Sequence, residues 1–199
     1  MTLRSARKEE TRRRVLDASR ELFEEIGYDA ATIRDIAKRA GVSVGSVFTS
    51  FPSKAEVLTK VMQDRLTDLY GELDRILPHL RGSCADRCRS MFAVHYAFEL
   101  RRPRLFLAYI SAAFDWSAGP RSPVFGANAH LRGMIRDCLA EGIVRGEIRP
   151  DADLDMAVDM LLAAYIWNWR LAAIEGPDKD KMVAQMDQQI GMIFAGLRP

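Results

Sequence analysis

Apolar residues recur at helical spacing along most of the chain, and no short stretch alternates cleanly between apolar and polar positions. The first helix predicted in this way covers about residues 5–26, and Gly27 ends it. A long helix from Ser53 to Pro78 is predicted next, since its apolar positions keep the same spacing. Further helices are predicted near 84–101, 104–115, 125–145, 153–175 and 178–197. The pattern therefore predicts an all-α fold.

Two short helices, 33–40 and 44–51, are predicted between the first helix and the long one. Thr32 stands three residues before Asp35, which is the spacing of a capping box at a helix N-terminus. The turn between the two helices contains Gly41, and Ser43 is placed to cap the second of them. Two short helices around a tight turn of this kind are typical of a helix-turn-helix, whose second helix can enter the major groove of DNA.

Positive charge is concentrated at the N-terminus, although the net charge of the whole chain is only +2. The basic residues of this arm are Arg4, Arg7, Lys8, Arg12, Arg13 and Arg14. Only Glu9 and Glu10 oppose them there. A basic arm beside a helix-turn-helix favours binding to the phosphate backbone, while a merely solvated run of charge is the alternative.

The run from Thr32 to Phe48, followed by Phe51–Leu58, strongly resembles the N-terminal signature of the tetracycline-repressor (TetR) family. The preceding helix also matches this signature through Ala18, Leu22, Phe23 and Gly27-Tyr28. The resemblance covers residues 9–60, and beyond them only the number and length of the helices agree. It implies a three-helix DNA-binding domain (1–53), joined by a long helix to a larger helical domain (54–199) that dimerises and binds an effector, with about nine helices in all.

The resemblance further implies that Thr32 and Lys54 bind DNA phosphates, and both stand at helix N-termini, where the helix dipole favours an anion. The recognition helix has no Arg, Lys, Asn or Gln to read bases bidentately, so we expect modest direct readout, supplemented by DNA shape or by a minor-groove arginine at Arg4 or Arg7. Phe48 replaces the tyrosine usual in the family, which removes a phosphate hydrogen bond. The expected DNA-facing residues of this region are Ser43, Val44, Gly45, Ser46, Phe48 and Thr49.

The predicted helix at 153–175 is apolar nearly all round, so it must be covered on two sides. In a chain of this size a second subunit is the simplest second cover, which agrees with dimerisation in the family. The alternative is a central helix buried wholly within one chain. The predicted interface residues are Ala157, Met160, Ala164, Trp167, Leu171 and Ile174.

The C-terminal half contains more aromatic residues and more apolar residues with a polar tip than an ordinary hydrophobic core needs. Ligand pockets have this composition, because they are mostly apolar and contain a few polar groups that orient the ligand. The predicted effector-binding residues are Phe92, His95, Tyr96, Glu99, Tyr109, Trp116, Tyr165, Asn168 and Trp169. We therefore expect a small, largely apolar effector with a hydrogen-bonding end. Two other roles are open for His95 and Glu99: they could form a solvent-facing ion pair, or His95 could be a buried core residue whose ring nitrogens are hydrogen-bonded.

Two other groups of residues match the patterns of different functions. Cys84 and Cys88, with His95 further along the same helix, could form a metal or thiol sensor, although a fourth ligand is not visible and buried structural cysteines are common. The G-x-S-x-G run at 41–45 matches a hydrolase nucleophile elbow but lacks the strand that the elbow requires. We therefore predict a cytoplasmic dimeric repressor, not an enzyme, that binds palindromic operator DNA without a cofactor, a metal or a membrane.

Overall fold

A computed structural model describes residues 3–113 and 129–199, which contain nine α-helices, a short 3-10 turn at Leu77–His79 and no strand. The helices are α1 (Leu3–Glu25), α2 (Ile33–Ala40), α3 (Val44–Ser50), α4 (Lys54–Ile76), α5 (Cys84–Glu99), α6 (Pro103–Ala113), α7 (Ala129–Val144), α8 (Leu154–Glu175) and α9 (Lys179–Ala195). The all-α prediction is confirmed. The predicted ends of the sixth helix (114–115) and the start of the seventh (125–128) lie outside the described residues.

The chain divides into two compact units. The N-terminal unit holds the described residues up to Thr67 together with α6, and the C-terminal unit holds those from Asp68 to Arg101 together with α7 to α9. This division differs from the predicted domain boundary at 53/54, because α6 packs against α1 and the first part of α4 belongs to the N-terminal unit. The boundary of the functional domains stays a prediction.

The core of the N-terminal unit lies where α1, α2 and α3 meet, and the start of α4 adds apolar residues to it. Its fully buried side chains include Val15, Phe23, Ile36, Val47 and Val57. They come from the apolar positions of the predicted helices, so the same spacing that forms each helix also buries its inner face.

In the C-terminal unit, α5 packs against α7 and α9, and α8 packs against the same two helices. Phe92 and Tyr96 of α5, Tyr165 and Trp169 of α8, and Ile190 of α9 are all almost completely buried there. Within the described ranges, no helix has the length and apolar character needed to cross a membrane.

Candidate functional site

The helix-turn-helix begins at a complete capping box. Thr32 Oγ1 accepts a hydrogen bond from the Asp35 backbone N–H at 3.2 Å, and Asp35 Oδ2 accepts from the Thr32 backbone N–H at 3.0 Å. Hydrogen bonds from Thr32 also lower the pKa of Asp35 below its ordinary value. Gly41 ends α2 with a φ of +65°, a conformation that L side chains rarely adopt. The capping box and this glycine therefore fix both ends of α2.

Two arginines of the basic arm hold the helix-turn-helix in place. Arg12 Nη1 donates to the Ser50 carbonyl at 3.1 Å, and its guanidinium lies 4.4 Å from the centre of the Phe51 ring. Arg14 Nη2 donates to the carbonyls of Ala40 at 2.5 Å and Gly41 at 3.1 Å. These bonds give Arg12 and Arg14 a structural role in the fold of the DNA-binding unit.

The two arginines predicted to reach DNA lie further out on the arm. The side chain of Arg7 is exposed, and that of Arg4 lies outside the described residues. Base or phosphate contact by either arginine stays a prediction.

The recognition helix α3 buries one side and exposes the other. Val47 is fully buried, whereas Val44 is 38% and Phe48 53% exposed, and Gly45 and Thr49 are exposed as well. Large apolar side chains at this level of exposure bury only part of their surface in the unit, so the rest is available to a partner surface.

The polar residues of α3 bond locally. Ser43 caps the helix by accepting from the Ser46 backbone N–H at 3.1 Å, and the two hydroxyl oxygens lie 2.8 Å apart. Thr49 Oγ1 donates to the Gly45 carbonyl at 2.8 Å, which leaves its oxygen able to accept. The predicted DNA-facing side chains therefore lie along the exposed side of a short, capped helix, with Ser46 partly exposed.

Lys54, predicted to bind phosphate, is engaged within the chain. Its Nζ donates to the carbonyls of Tyr28 at 2.8 Å, Ala31 at 3.0 Å and Asp29 at 3.3 Å, and lies 4.3 Å from the centre of the Tyr28 ring. The ammonium group thus fixes the loop that leads into α2. A phosphate contact by Lys54 stays a prediction. In such a contact the phosphate would compete with the three carbonyls for the N–H donors of the ammonium group.

Seven of the predicted effector-binding residues form a buried aromatic cluster in the C-terminal unit: Phe92, His95, Tyr96, Glu99, Tyr165, Asn168 and Trp169. The Tyr165 ring lies at its centre, with ring centroids 4.9 Å from Tyr96, 5.5 Å from Phe92 and 5.6 Å from His95. Tyr109 belongs to the N-terminal unit, and Trp116 lies outside the described residues. A role for Tyr109 and Trp116 in effector binding stays a prediction.

His95 places a polar imidazole ring inside this cluster. Both of its ring nitrogens are buried, and neither has a hydrogen-bond partner among the described residues. Burial lowers the pKa of His95 from 6.5 to about 3, so the ring is neutral. Since His95 and Glu99 are both buried, the solvent-facing ion pair is excluded, and the satisfied core histidine does not describe His95 either.

Asn168 and Tyr96 are the polar side chains of the cluster whose hydrogen bonds are best defined. Asn168 donates to the Tyr96 hydroxyl at 3.0 Å and to Gln189 Oε1 at 2.8 Å, and Gln189 Nε2 donates back to Asn168 Oδ1 at 3.1 Å. Burial, together with the charge of Glu99, raises the pKa of Tyr165 well above its ordinary value. The sequence prediction missed Gln189 on α9, because an amide in an amphipathic helix gives no sign of a distant partner.

The outer face of α8 carries most of the predicted interface residues. Met160, Trp167 and Ile174 are between 49% and 67% exposed, and Ala164 and Leu171 are partly exposed. Ala157 is a correction: it is only 2% exposed, because its position on α8 turns it into the core of its own chain. Exposed Met156 precedes it at the start of the same face.

The two alternative sites have different outcomes in the structure. Ser43 of the G-x-S-x-G run caps a helix and follows another helix, so the strand of a nucleophile elbow is missing at that point. Cys84 and Cys88 do meet a third residue, but it is Cys138 of α7 and not His95. Hydrogen bonds from Cys84 and then Cys88 lower the pKa of Cys138, as does the charge of Arg87.

A capped helix-turn-helix with an exposed second helix defines a DNA-binding protein of the helix-turn-helix class. The sequence profile of the bacterial regulatory proteins of the tetR family matches residues 15–61. The transcriptional repressor KstR2 of Mycolicibacterium smegmatis is 28% identical over 184 residues, or 92% of this chain and 88% of that protein. The transcriptional regulator SrpR of Pseudomonas putida is 44% identical over 154 residues, or 77% of this chain and 71% of that protein.

Solved structures agree with this likeness. The TetR-family transcriptional repressor FadR of Thermus thermophilus, solved in complex with lauroyl-CoA, has a TM-score of 0.74 at 25% identity and covers 93% of this chain and 94% of its own. The ketosteroid transcriptional regulator KstR2 of Mycobacterium tuberculosis has a TM-score of 0.62 at 25% identity, and the match covers 94% of this chain and 95% of that protein.

This chain belongs to the TetR family of bacterial transcriptional regulators. It is a DNA-binding regulator and not an enzyme, and its relative KstR2 of Mycolicibacterium smegmatis is named as a repressor. The names of these relatives give no support to a serine hydrolase or to a thiol- or metal-sensing regulator.

Proposed function

We propose that the chain represses transcription as a dimer on a palindromic operator, and that a largely apolar small molecule bound near His95 releases it from DNA. The observation that carries the DNA-binding part is the exposed face of α3, where Val44 and Phe48 stay outside the core of a rigidly capped helix-turn-helix. Such a helix fits the major groove with its N-terminal residues toward the base edges.

The chemistry of this face sets the kind of DNA recognition. Val44 offers apolar contact to a thymine methyl group, and the hydroxyls of Ser46 and Thr49 offer short hydrogen bonds. No long bidentate side chain is available on α3, so base readout is modest and contacts to phosphate and DNA shape supply the rest. Arg7 on the exposed arm is our candidate for the minor groove.

The proposed dimer uses the outer face of α8. Met156, Met160, Trp167 and Ile174 form an exposed apolar stripe along this helix. An isolated exposed apolar residue is ordinary, but a continuous stripe over a whole helix is typical of a subunit interface. A second copy of the same chain is the occupant because operator half-sites about one DNA turn apart need two recognition helices related by a two-fold axis.

The buried histidine supports an effector site. Leaving a buried polar group without a partner costs about 1–3 kcal/mol, so such a group in a folded chain calls for an explanation. A neutral imidazole offers one donor and one acceptor, which a carbonyl or hydroxyl at the end of an apolar molecule would satisfy. Tyr165 packs against the His95 ring and Phe92 packs against Tyr165, so an effector beside His95 would meet apolar rings. The complex of the Thermus thermophilus relative with lauroyl-CoA supports an effector with a long apolar part.

Release from DNA follows if the effector binds more tightly to chain conformations whose recognition helices do not fit the operator. By linkage, operator DNA then weakens effector binding by the same factor. The rings around Tyr165 are in mutual contact, so an effector has to separate them as it enters.

The experiment measures effector binding and operator binding on the same sample. Lauroyl-CoA, a carbonyl-bearing steroid and free coenzyme A are titrated while tryptophan emission and affinity for the operator are followed. An apolar probe is expected to change the emission and lower operator affinity, and coenzyme A alone is expected to do neither. If no probe of a broad apolar series changes operator affinity, the effector part of the proposal is wrong while the DNA-binding part stands.

A further inference from the structure

The three cysteines of the chain meet at one point in the C-terminal unit. Cys84 and Cys88 lie one turn apart on α5, and Cys138 comes from α7. Their sulfur atoms all lie within 4.8 Å of one another, with 3.6 Å from Cys84 to Cys138 and 3.9 Å from Cys88 to Cys138. All three side chains are buried, and the cluster shares no residue with the aromatic cluster around Tyr165.

The close approach of the two helices depends on Gly142 of α7. A Cβ atom at this position would lie 3.1 Å from Cys84 Cβ, 3.2 Å from Cys84 Sγ and 2.8 Å from Ile148 Cδ1. The missing side chain therefore gives Cys84 the room to stand beside α7, and with it the sulfur atoms converge.

The spacing of the sulfurs fits a metal ion held by three thiolates. Metal–thiolate bonds of about 2.3 Å at 120° to one another place the sulfurs roughly 4 Å apart. Two of the three sulfur pairs of this cluster lie at 3.6 and 3.9 Å and the third lies within 4.8 Å, so side-chain adjustments of less than about 1 Å would complete the triangle.

Positive charge lies beside the cluster. The Nε and Nη2 groups of Arg87 are buried and have no hydrogen-bond partner within the described part of the chain, while its Nη1 pairs with Glu141. Arg87 and Arg145 both act electrostatically on Cys138. Three thiolates with a monovalent ion carry a net charge of −2. Arg87 and Arg145 attract this charge, while their ion-pair partners Glu141 and Glu147 oppose it.

We propose that Cys84, Cys88 and Cys138 form a three-coordinate site for a soft monovalent metal ion, with Cu(I) as its occupant. Thiolate ligands select soft ions such as Cu(I), whereas Zn²⁺ takes four ligands and the cluster supplies three. Each metal–sulfur bond replaces an S–H bond, so three thiol protons pass to the solvent as the ion binds. This site shares no residue with the proposed effector site.

The test uses the reduced full-length chain under anaerobic conditions, titrated with Cu(I) against the competing chelator bicinchoninate. Because the chain has only these three cysteines, every thiol signal comes from the cluster. We expect one Cu(I) per chain, and X-ray absorption is expected to show three sulfur neighbours at about 2.3 Å. A parallel titration with Zn²⁺ is expected to show weaker binding.

Single substitutions locate the ligands. Cys84→Ser, Cys88→Ser and Cys138→Ser are each expected to weaken Cu(I) binding at least about 10-fold, since loss of an outer-sphere partner alone costs about 10–100-fold. Met192→Leu removes an exposed thioether of α9 and is expected to bind as the wild type does. Circular dichroism checks the fold of each variant, and the sulfur count of the wild type decides the question if a variant does not fold.

Each of these results would overturn the proposal: two sulfur neighbours in place of three, a Cys138→Ser variant that binds Cu(I) as tightly as the wild type, or tighter four-coordinate binding of Zn²⁺. Formation of a disulfide between Cys84 and Cys138 in mild oxidant, with no Cu(I) binding above the competitor, would equally overturn it and identify a redox pair.

Discussion

Lys54 Nζ donates to the carbonyl of Tyr28 at 2.8 Å and lies 4.3 Å from the centre of the same residue's ring. The start of α4 is thereby tied to the loop that leads into α2. This relationship separates two roles for Lys54, one in binding phosphate and one in holding the helix-turn-helix together.

We predict that Lys54→Ala lowers the free energy of unfolding by about 1–3 kcal/mol, because two part-buried carbonyls lose a charged donor and the cation–π contact is lost. Urea denaturation measures this change. Lys38→Ala, which removes an exposed lysine of α2, is the matched control and is expected to change stability by less than about 0.5 kcal/mol. Unchanged stability of the Lys54 variant would leave phosphate binding as the only role of this lysine.

Substitutions on α3 are expected to change which operator is preferred. Val44→Ala and Thr49→Ala each remove one base contact, so affinity falls by about 1–3 kcal/mol for some base pairs and is kept for others. Thr32→Ala removes the predicted contact to a DNA phosphate and the N-cap of α2, so it is expected to lower the affinity for all operator sequences alike. Binding to a panel of single-base operator variants measures the difference. Uniform loss on every operator in the α3 variants would contradict base readout by this face.

His95→Leu is expected to have opposite effects on stability and on ligand binding. Without an effector the variant should be more stable by about 1–3 kcal/mol, since a buried imidazole with two unsatisfied nitrogens is replaced by an apolar side chain. Its response to an apolar effector should be lost, because the polar end of the ligand has no partner. Thermal unfolding with and without the effector measures both. A destabilised variant that keeps a full response would show that His95 only fills space.

The pH dependence of stability provides a separate check on His95. The unfolded chain takes up a proton on this residue below about pH 6.5, but the folded chain does so only near pH 3, so falling pH favours unfolding. The free energy of unfolding should therefore decrease through this window by up to about 1.4 kcal/mol per pH unit from this group. His95→Leu removes that contribution, so the difference between wild type and variant should grow as pH falls. Parallel curves would contradict a buried neutral histidine.

A charge on the outer face of α8 should break the dimer. Trp167→Glu places a carboxylate in the middle of the proposed interface, where its desolvation is not compensated, so the mass in light scattering should shift toward the monomer. Val144→Glu is the control, since Val144 is an equally apolar and still more exposed residue outside this face. A dimer that survives Trp167→Glu and dissociates with Val144→Glu would place the interface elsewhere.

The sequence carried enough information for the helices and for the DNA-binding unit. Periodic apolar positions predicted each helix, and the spacing of Thr32 and Asp35 predicted a cap that the structure contains. These features are local, so neighbouring residues decide them.

Features that depend on distant packing were predicted less well. Cys84 meets Cys138 across 54 positions, and Asn168 pairs with Gln189 on another helix, which no local spacing reveals. Ala157 was assigned to the wrong side because α8 is apolar on both faces, so periodicity alone does not tell the inner face from the outer one.

The central claim, that this chain recognises a specific operator, is tested most directly by selecting bound sequences from random duplex DNA with the purified protein. We predict an enriched palindrome whose half-sites lie about one helical turn apart, bound with an affinity that falls steeply with salt as phosphate counterions are displaced. Val44→Ala should shift the enriched bases. Recovery of no enriched motif, with equal affinity for all duplexes, would contradict the account.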